Sequence, residues 1–304
     1  MRTCRTVGQA MPADLAQIVQ LIVNGIAIGS IYALVAAGLV MTYKATEVLN
    51  FAHGDLLMAS AFVAWGLMSI GGLSFWLAAP VTIAFTAALA AAIDMLAMRR
   101  IVGQPQFAGV MLTIAIGFML RGAISMIFGP ESRNLPTPWT GQTTRVGGVV
   151  LTNLSLVIIV SATLVTFALF TFLGRTRVGI SIQAASQNQL AAFLSGIRVK
   201  WINSLVWAIA GALAALCGIL LAPTALVDVS LWYVVLKSLA ALVLGGFGSI
   251  AGALVGGIGI GLIEQFAGVY MPDGVKDISA YVILIAVLIV WPRGLLGEAH
   301  GRRV

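Results

Sequence analysis

Apolar runs of about 20 residues follow one another along almost the whole chain, at about 17–43, 51–70, 75–98, 107–128, 152–173, 202–223, 231–244, 249–270 and 277–296. A run of that length is what an α-helix needs to cross the hydrocarbon core of a bilayer. Charge is correspondingly scarce: 9% of residues are charged and 60% are hydrophobic, where soluble globular chains carry about 25% charged residues. Such a chain cannot cover itself with a water-compatible surface. It reads as an all-α polytopic membrane protein with about eight or nine transmembrane helices. Two of them are expected to be discontinuous. The seventh run is short and meets Gly245, Gly246 and Gly248, and the second opens abruptly on the polar cluster from Asn50 to Asp55.

The length of 304 residues suits one membrane domain at 17–297, between a tail at 1–16 and another at 298–304, and leaves no room for a second soluble domain. The first ten residues read as an upstream start before Met11 or as a tail, and they lack the apolar segment that would make Arg2 and Arg5 part of a secretory signal. No GxxxxGK[ST] phosphate loop, HExxH or GxSxG occurs, so no enzyme constellation emerges. Cys4 and Cys217 lie far apart in unlike contexts, which argues against a disulfide or metal site, and Cys217 reads as a small packing residue. Neither a metal nor a cofactor is expected.

The net charge of +7 does not point to nucleic acid, because the basic residues are scattered at segment ends, where they act as topology signals. Placing the C-terminus inside and alternating backwards puts Lys44, Arg99, Arg100, Arg175, Arg177, Arg198, Lys200, Arg293, Arg302 and Arg303 on the inner side. Arg2, Arg5, Arg133, Arg145 and Lys276 fall outside. That bias favours an N-out, C-in chain. The Pro-, Thr- and Gly-rich stretch 129–151 is then an outer loop, and 174–201 is the longest inner connection.

Within that inner connection Leu190, Phe193, Leu194 and Ile197 recur at i, i+3, i+4 and i+7, the spacing of a short amphipathic helix whose end Gly196 weakens. It reads either as a helix lying on the membrane or as a docking element for a cytoplasmic partner. Ionisable residues at membrane depth are the other functional candidates. His53 and Asp55 precede an apolar helix for which Asn50 is the expected N-cap, and a discontinuous helix there would turn freed backbone groups toward a substrate path. Arg121, Lys237 and Glu264 need partners, with Glu264 able to pair with either cation, and Asp94 is expected to pair with Arg99 one turn on. Gly248, Gly252 and Gly256 repeat at i, i+4 and i+8, and Gly25 and Gly29 repeat the spacing, which lets helix backbones approach closely.

Four stretches resemble one family. Asn24 through Leu34 looks like the opening of branched-chain amino-acid permeases of ABC importers, the LivH type. Val48-Leu49-Asn50-Phe51-Ala52-His53-Gly54-Asp55 resembles their NFAHG[DE] signature, and the glycine-rich block from Lys237 to Gly257 resembles their late block, with Ala251 where proline is typical. Trp291 through Gly297 resembles their C-terminal ending. The resemblance runs from about Met11 to Gly297.

It implies an inner-membrane subunit that pairs with a second related permease, with two cytoplasmic ATPase subunits and a periplasmic substrate-binding protein. Import of branched-chain or hydrophobic amino acids would proceed by alternating access. Gly179–Ile197 would be the coupling element, with Gln183, Gln187, Leu190, Phe193, Leu194 and Gly196 in contact with the ATPase. Asn50, His53 and Asp55 would line the path. Two other readings stay open: the same class carrying urea or short amides, which the Gln187-Asn188 pair resembles, and a stand-alone channel or secondary transporter.

Overall fold

The computed structural model describes residues 13–101, 103–146, 149–272, 274–291 and 294–296. The expectations for Cys4, Met11 and most of both tails lie outside the described residues. Eleven α-helices are described: α1 Ala13–Thr46, α2 His53–Ser69, α3 Phe75–Leu96, α4 Gln106–Phe128, α5 Asn153–Arg175, α6 Arg177–Gln187, α7 Gln189–Leu194, α8 Val199–Ala225, α9 Val234–Gly245, α10 Ile250–Tyr270 and α11 Val275–Val290. Six of them, α1, α3, α4, α5, α8 and α10, are long and apolar enough to cross a bilayer. The remaining apolar runs form α2, α9 and α11, of 17, 12 and 16 residues.

Two features differ from the sequence reading. The loop 129–151 holds an antiparallel hairpin, β1 Thr143–Val146 and β2 Val149–Thr152, where β-branched residues flank a Gly-Gly pair. The short amphipathic helix expected from Leu190 to Ile197 is α7, which stops at Leu194, and a separate helix, α6, precedes it. Asn188 leaves the helical region and its side chain accepts the Ala191 N–H at 2.9 Å, capping the six-residue α7. Gly196, at φ +86°, then ends the turn. Ile197 therefore turns toward the core, while Leu190, Phe193 and Leu194 stay exposed.

The helices divide into an interior set and a lipid-facing set. α8 and the middle of α1 are buried over most of their length, and α2 is buried on nearly every side of its first three turns. That burial explains why these segments are apolar all round, without one polar stripe. α3, α4, α5 and α11 turn large apolar side chains outward, among them Phe85, Phe118, Met126, Phe167 and Ile285.

The glycines that repeat at four-residue spacing lie where backbones meet. A Cβ on Gly29 would come within 2.8 Å of the Ile258 Cα, and one on Gly25 within 2.9 Å of the Leu262 side chain, so α1 and α10 approach through these positions. Gly252 and Gly256 of α10 abut Gly245 and Ala241 of α9 in the same way. Gly246 and Gly248 serve differently. They take φ of +108° and +89° in the turn that ends α9, and Ser249 then caps α10 by accepting the Gly252 N–H at 3.0 Å.

The two faces of the bundle are set by local contacts. On one lies the hairpin, where Ser155 Oγ donates to Asn24 Oδ1 at 3.0 Å beside the first half of α1. On the other lie α6 and α7, where Gln189 Nε2 donates to the Ala45 carbonyl at 2.8 Å near the end of α1. Past α11 the described residues reach this second face, with Leu295 and Leu296 N–H donating to the Leu244 and Gly245 carbonyls.

Candidate functional site

The stretch between α1 and α2 is irregular backbone at membrane depth. Glu47, with φ +56°, turns the chain out of α1, and the next residues climb along α4. Val48 packs on Gly109, the Phe51 N–H donates to Thr113 Oγ1 at 3.2 Å, and Asp55 lies against Gly117. From Gln106 to Gly117 is about 16 Å along a helix of about 34 Å, at 1.5 Å per residue. The first turn of α2 thus sits roughly half-way through the span, as a discontinuous helix requires. On its other side it meets the 3₁₀ turn Val229–Tyr233 and the start of α9. A Cβ on Gly54 would press into Val235 at 2.9 Å and against the Trp232 carbonyl, so only glycine admits this approach.

The N-cap expected at Asn50 is not formed. Ala52 occupies the cap position and makes no side-chain cap bond, because the chain is still climbing at Asn50 and it is the Asn50 carbonyl that accepts the His53 N–H, at 3.2 Å. This leaves the Asn50 amide free. It is 1% exposed, and neither its Nδ2 nor its Oδ1 has a hydrogen-bond partner. His53 is fully buried with both ring nitrogens unpartnered, and its imidazole packs on Gly38 so closely that a Cβ there would lie 2.7 Å from the ring. Buried polar side chains are nearly always satisfied; single unpartnered atoms occur elsewhere, as at Thr82, Trp207 and Ser238, but Asn50 and His53 bring four of them together at this break. A void of about 10 Å³ adjoins it, lined by Leu39, Leu49, Asn50, Phe51, Val235 and Leu239.

Asp55, by contrast, is fully engaged. Arg121 Nε donates to its Oδ1 at 2.6 Å and Arg121 Nη2 to its Oδ2 at 3.3 Å. The guanidinium lies 3.8 Å over the Trp232 ring and 4.7 Å from that of Phe118. Gly117, one turn before Arg121, leaves the space that the carboxylate fills.

Glu264 pairs with Lys237, not with Arg121. Lys237 Nζ donates to Oε1 at 2.8 Å and also reaches the exposed Asp277 at 3.3 Å, while the Tyr32 hydroxyl donates to Glu264 Oε2 at 2.7 Å. This second charged cluster ties α1, α9, α10 and α11 together, apart from the break. Asp94 lies 3.4 Å from Arg99 and also accepts the Ser204 hydroxyl.

The coupling candidates gather on the α6–α7 face. Gln183 Nε2 donates to the Leu173 carbonyl at 3.0 Å and so pins α6 back onto α5, and Gln187 is exposed beside Asn188. Sequence reasoning missed Gly38, Gly117, Phe118, Trp232, Tyr32 and Asp277. Of these, only Gly117 carried a readable signal, a glycine one helical turn before a membrane-depth arginine.

A family model described as branched-chain amino acid transport system / permease component matches residues 21–290. The chain belongs to this family. Among curated proteins, the permease is 32% identical to the high-affinity branched-chain amino acid transport system permease protein BraD of Pseudomonas aeruginosa, over 96% of this chain and 99% of that one. It is 29% identical to the corresponding protein LivH of Escherichia coli, over 97% of this chain and 100% of that one. It is 28% identical to the probable branched-chain amino acid transport permease protein LivH of Methanocaldococcus jannaschii, over 87% and 88%. Among solved structures, PsaBC from Streptococcus pneumoniae in complex with a Fab shares the fold, with a TM-score of 0.51 at 14% identity over 91% of this chain and 96% of that one.

Proposed function

We propose that the permease is one membrane subunit of an ATP-driven importer of branched-chain or other hydrophobic amino acids in the bacterial inner membrane. A second related permease would complete the membrane unit. Two ATPase subunits would dock on the α6–α7 face and a periplasmic binding protein on the hairpin face. The observation that carries this reading is α7. Leu190, Phe193 and Leu194 are 69%, 65% and 77% exposed, on a capped helix at a membrane face, in a chain with no phosphate-binding loop of its own. An apolar triad held outward by Asn188 and Gly196 suits a groove on a partner, and ATPase motion entering there would rock the helices from inward-open to outward-open.

The N-out, C-in orientation is part of the proposal. The first half of α1 and the end of the described chain lie on opposite faces, and Lys44, Arg99, Arg198 and Lys200 share the face of α7. Asn50, His53 and Asp55 remain substrate-path candidates, by their place in the mid-membrane break. All three are buried within this one chain, so a path would reach Asn50 and His53 only when 47–52 moves, with the Asp55–Arg121 pair holding the start of α2 fixed.

The test is the double substitution F193S/L194S. Both side chains are exposed, so the permease should reach the membrane at normal abundance, while ATPase subunits no longer copurify and uptake of radiolabelled leucine falls at least tenfold. Normal copurification and uptake in the variant would remove the basis of the reading.

A further inference from the structure

A cavity of about 1460 Å³ lies on the α6–α7 face, between the ends of α1 and α3, the starts of α4 and α8, and the α6–α7 segment. It is larger than the 300–1,000 Å³ typical of small-molecule pockets, and its lining mixes two chemistries. Lys44, Arg99, Arg198 and Lys200 bring positive charge, against Glu47 and Asp94. Arg99 is already committed, to Asp94, to the Ser204 hydroxyl at 2.6 Å and to the Lys200 carbonyl at 2.9 Å. Arg198 and Lys200 are exposed and form no ion pair among the described residues. Beside these cations the same wall presents Trp201 and Met95, 52% and 48% exposed.

Neither bulk water nor a free amino acid suits this combination. Water would leave an indole and a thioether wet, and a zwitterion would bring its own cation toward two others. We propose that the cavity binds an anionic phospholipid of the inner leaflet, its phosphate held by Arg198 and Lys200 and its acyl chains laid along Trp201 and Met95. Basic pockets between transmembrane helices at the cytoplasmic side suit such headgroups, and tryptophan is the side chain favoured at headgroup depth. The proposal rests on the inner-side placement of α6–α7 given above. Leu190 and Phe193 edge the same cavity, so the lipid would lie directly beneath the coupling segment and would tune how firmly that segment is held.

Trp201 itself reports occupancy. The chain has seven tryptophans, so its signal is the difference between wild type and W201F. The permease in zwitterionic nanodiscs, both alone and assembled with its copurifying subunits, is titrated with brominated phosphatidylglycerol or brominated phosphatidylcholine. The anionic lipid should quench the Trp201 component at far lower mole fraction. R198Q/K200Q should remove that preference by about 25-fold, about fivefold for each cation near an anionic headgroup. Equal quenching by the two lipids would overturn the proposal. So would loss of quenching when ATPase subunits bind, which would give the cavity to the ATPase. Should R198Q/K200Q fail to fold, native mass spectrometry of the wild type decides: an anionic phospholipid retained through detergent supports the site, and its absence rejects it. A permease that binds no ATPase but still shows selective quenching would keep the lipid site and sink the coupling reading.

Discussion

The Asp55–Arg121 pair gives the sharpest energetic test of the mid-membrane break. Asp55 is 1% exposed and its partner's side chain 18%, so neither charge has much water to fall back on. Removing one member of a buried pair typically costs about 3–5 kcal/mol, because the other is stranded, whereas replacing both by apolar groups is often close to neutral. D55A leaves the guanidinium with only the Trp232 and Phe118 ring faces, and cation–π contacts contribute about 2 kcal/mol when desolvated. They soften the loss without abolishing it, so D55A should cost about 2–4 kcal/mol. D55A/R121M removes both charges and keeps much of the arginine's packing volume, so it should recover most of that loss, with a coupling energy of about 1–3 kcal/mol. Equilibrium unfolding in mixed micelles, followed by tryptophan fluorescence on wild type, D55A, R121M and D55A/R121M, closes the cycle. A double variant whose loss equals the sum of the two single losses would show that the contact carries no energy, and the reasoning about the break would fail with it.

Gly38 and Asp228 supply two further predictions. A Cβ on Gly38 meets the His53 ring at 2.7 Å, so G38A should destabilise by about 1–3 kcal/mol, as overpacking does, and H53A added to it should relieve most of the loss in the same assay. Asp228 lies in a loop outside the spans, where the Ser132 hydroxyl at 2.6 Å and the Ser230 N–H at 2.7 Å hold its carboxyl below the usual carboxylate range. A depressed folded value means stability that is present above the unfolded value of about 3.9 and is lost as pH falls through the folded one. Wild type should therefore melt above D228N at pH 7, with the gap closing below about pH 4. A gap that stayed constant across that range would assign the difference to something other than the charge.

What could be read from the sequence follows the range of the interaction concerned. Helices long enough to span are local facts, and eight of the nine apolar runs lead to helices with ends within about four residues of those expected, α11 alone stopping earlier. The break before α2 was readable because polar residues interrupt an apolar pattern on the spot. The partners were not. Asp55 meets Arg121 across 66 positions and Glu264 meets Tyr32 across 232, and sequence offers each charge several equivalent choices. Asn50 misled because its type favours an N-cap, whereas the climb along α4 delays the helix to His53. The i, i+3, i+4, i+7 pattern from Leu190 marked α7 but overran its end: Asn188 caps the helix just before Leu190, and Gly196, expected to weaken the end, stops it before Ile197. The hairpin was hidden in a loop whose Pro and Gly content drew attention away from its β-branched residues.

Under the proposed function, this chain moves branched-chain amino acids only when a partner hydrolyses ATP. The direct measurement is uptake of radiolabelled leucine, isoleucine and valine into proteoliposomes. These would hold the permease with its copurifying subunits, with ATP enclosed on the α6–α7 side and binding protein supplied on the hairpin side. Uptake that requires ATP, stops when the ATPase subunit is made hydrolysis-deficient and favours these three over urea and acetamide is the predicted result. Uptake that persists without hydrolysis, or that prefers the amides, would contradict it.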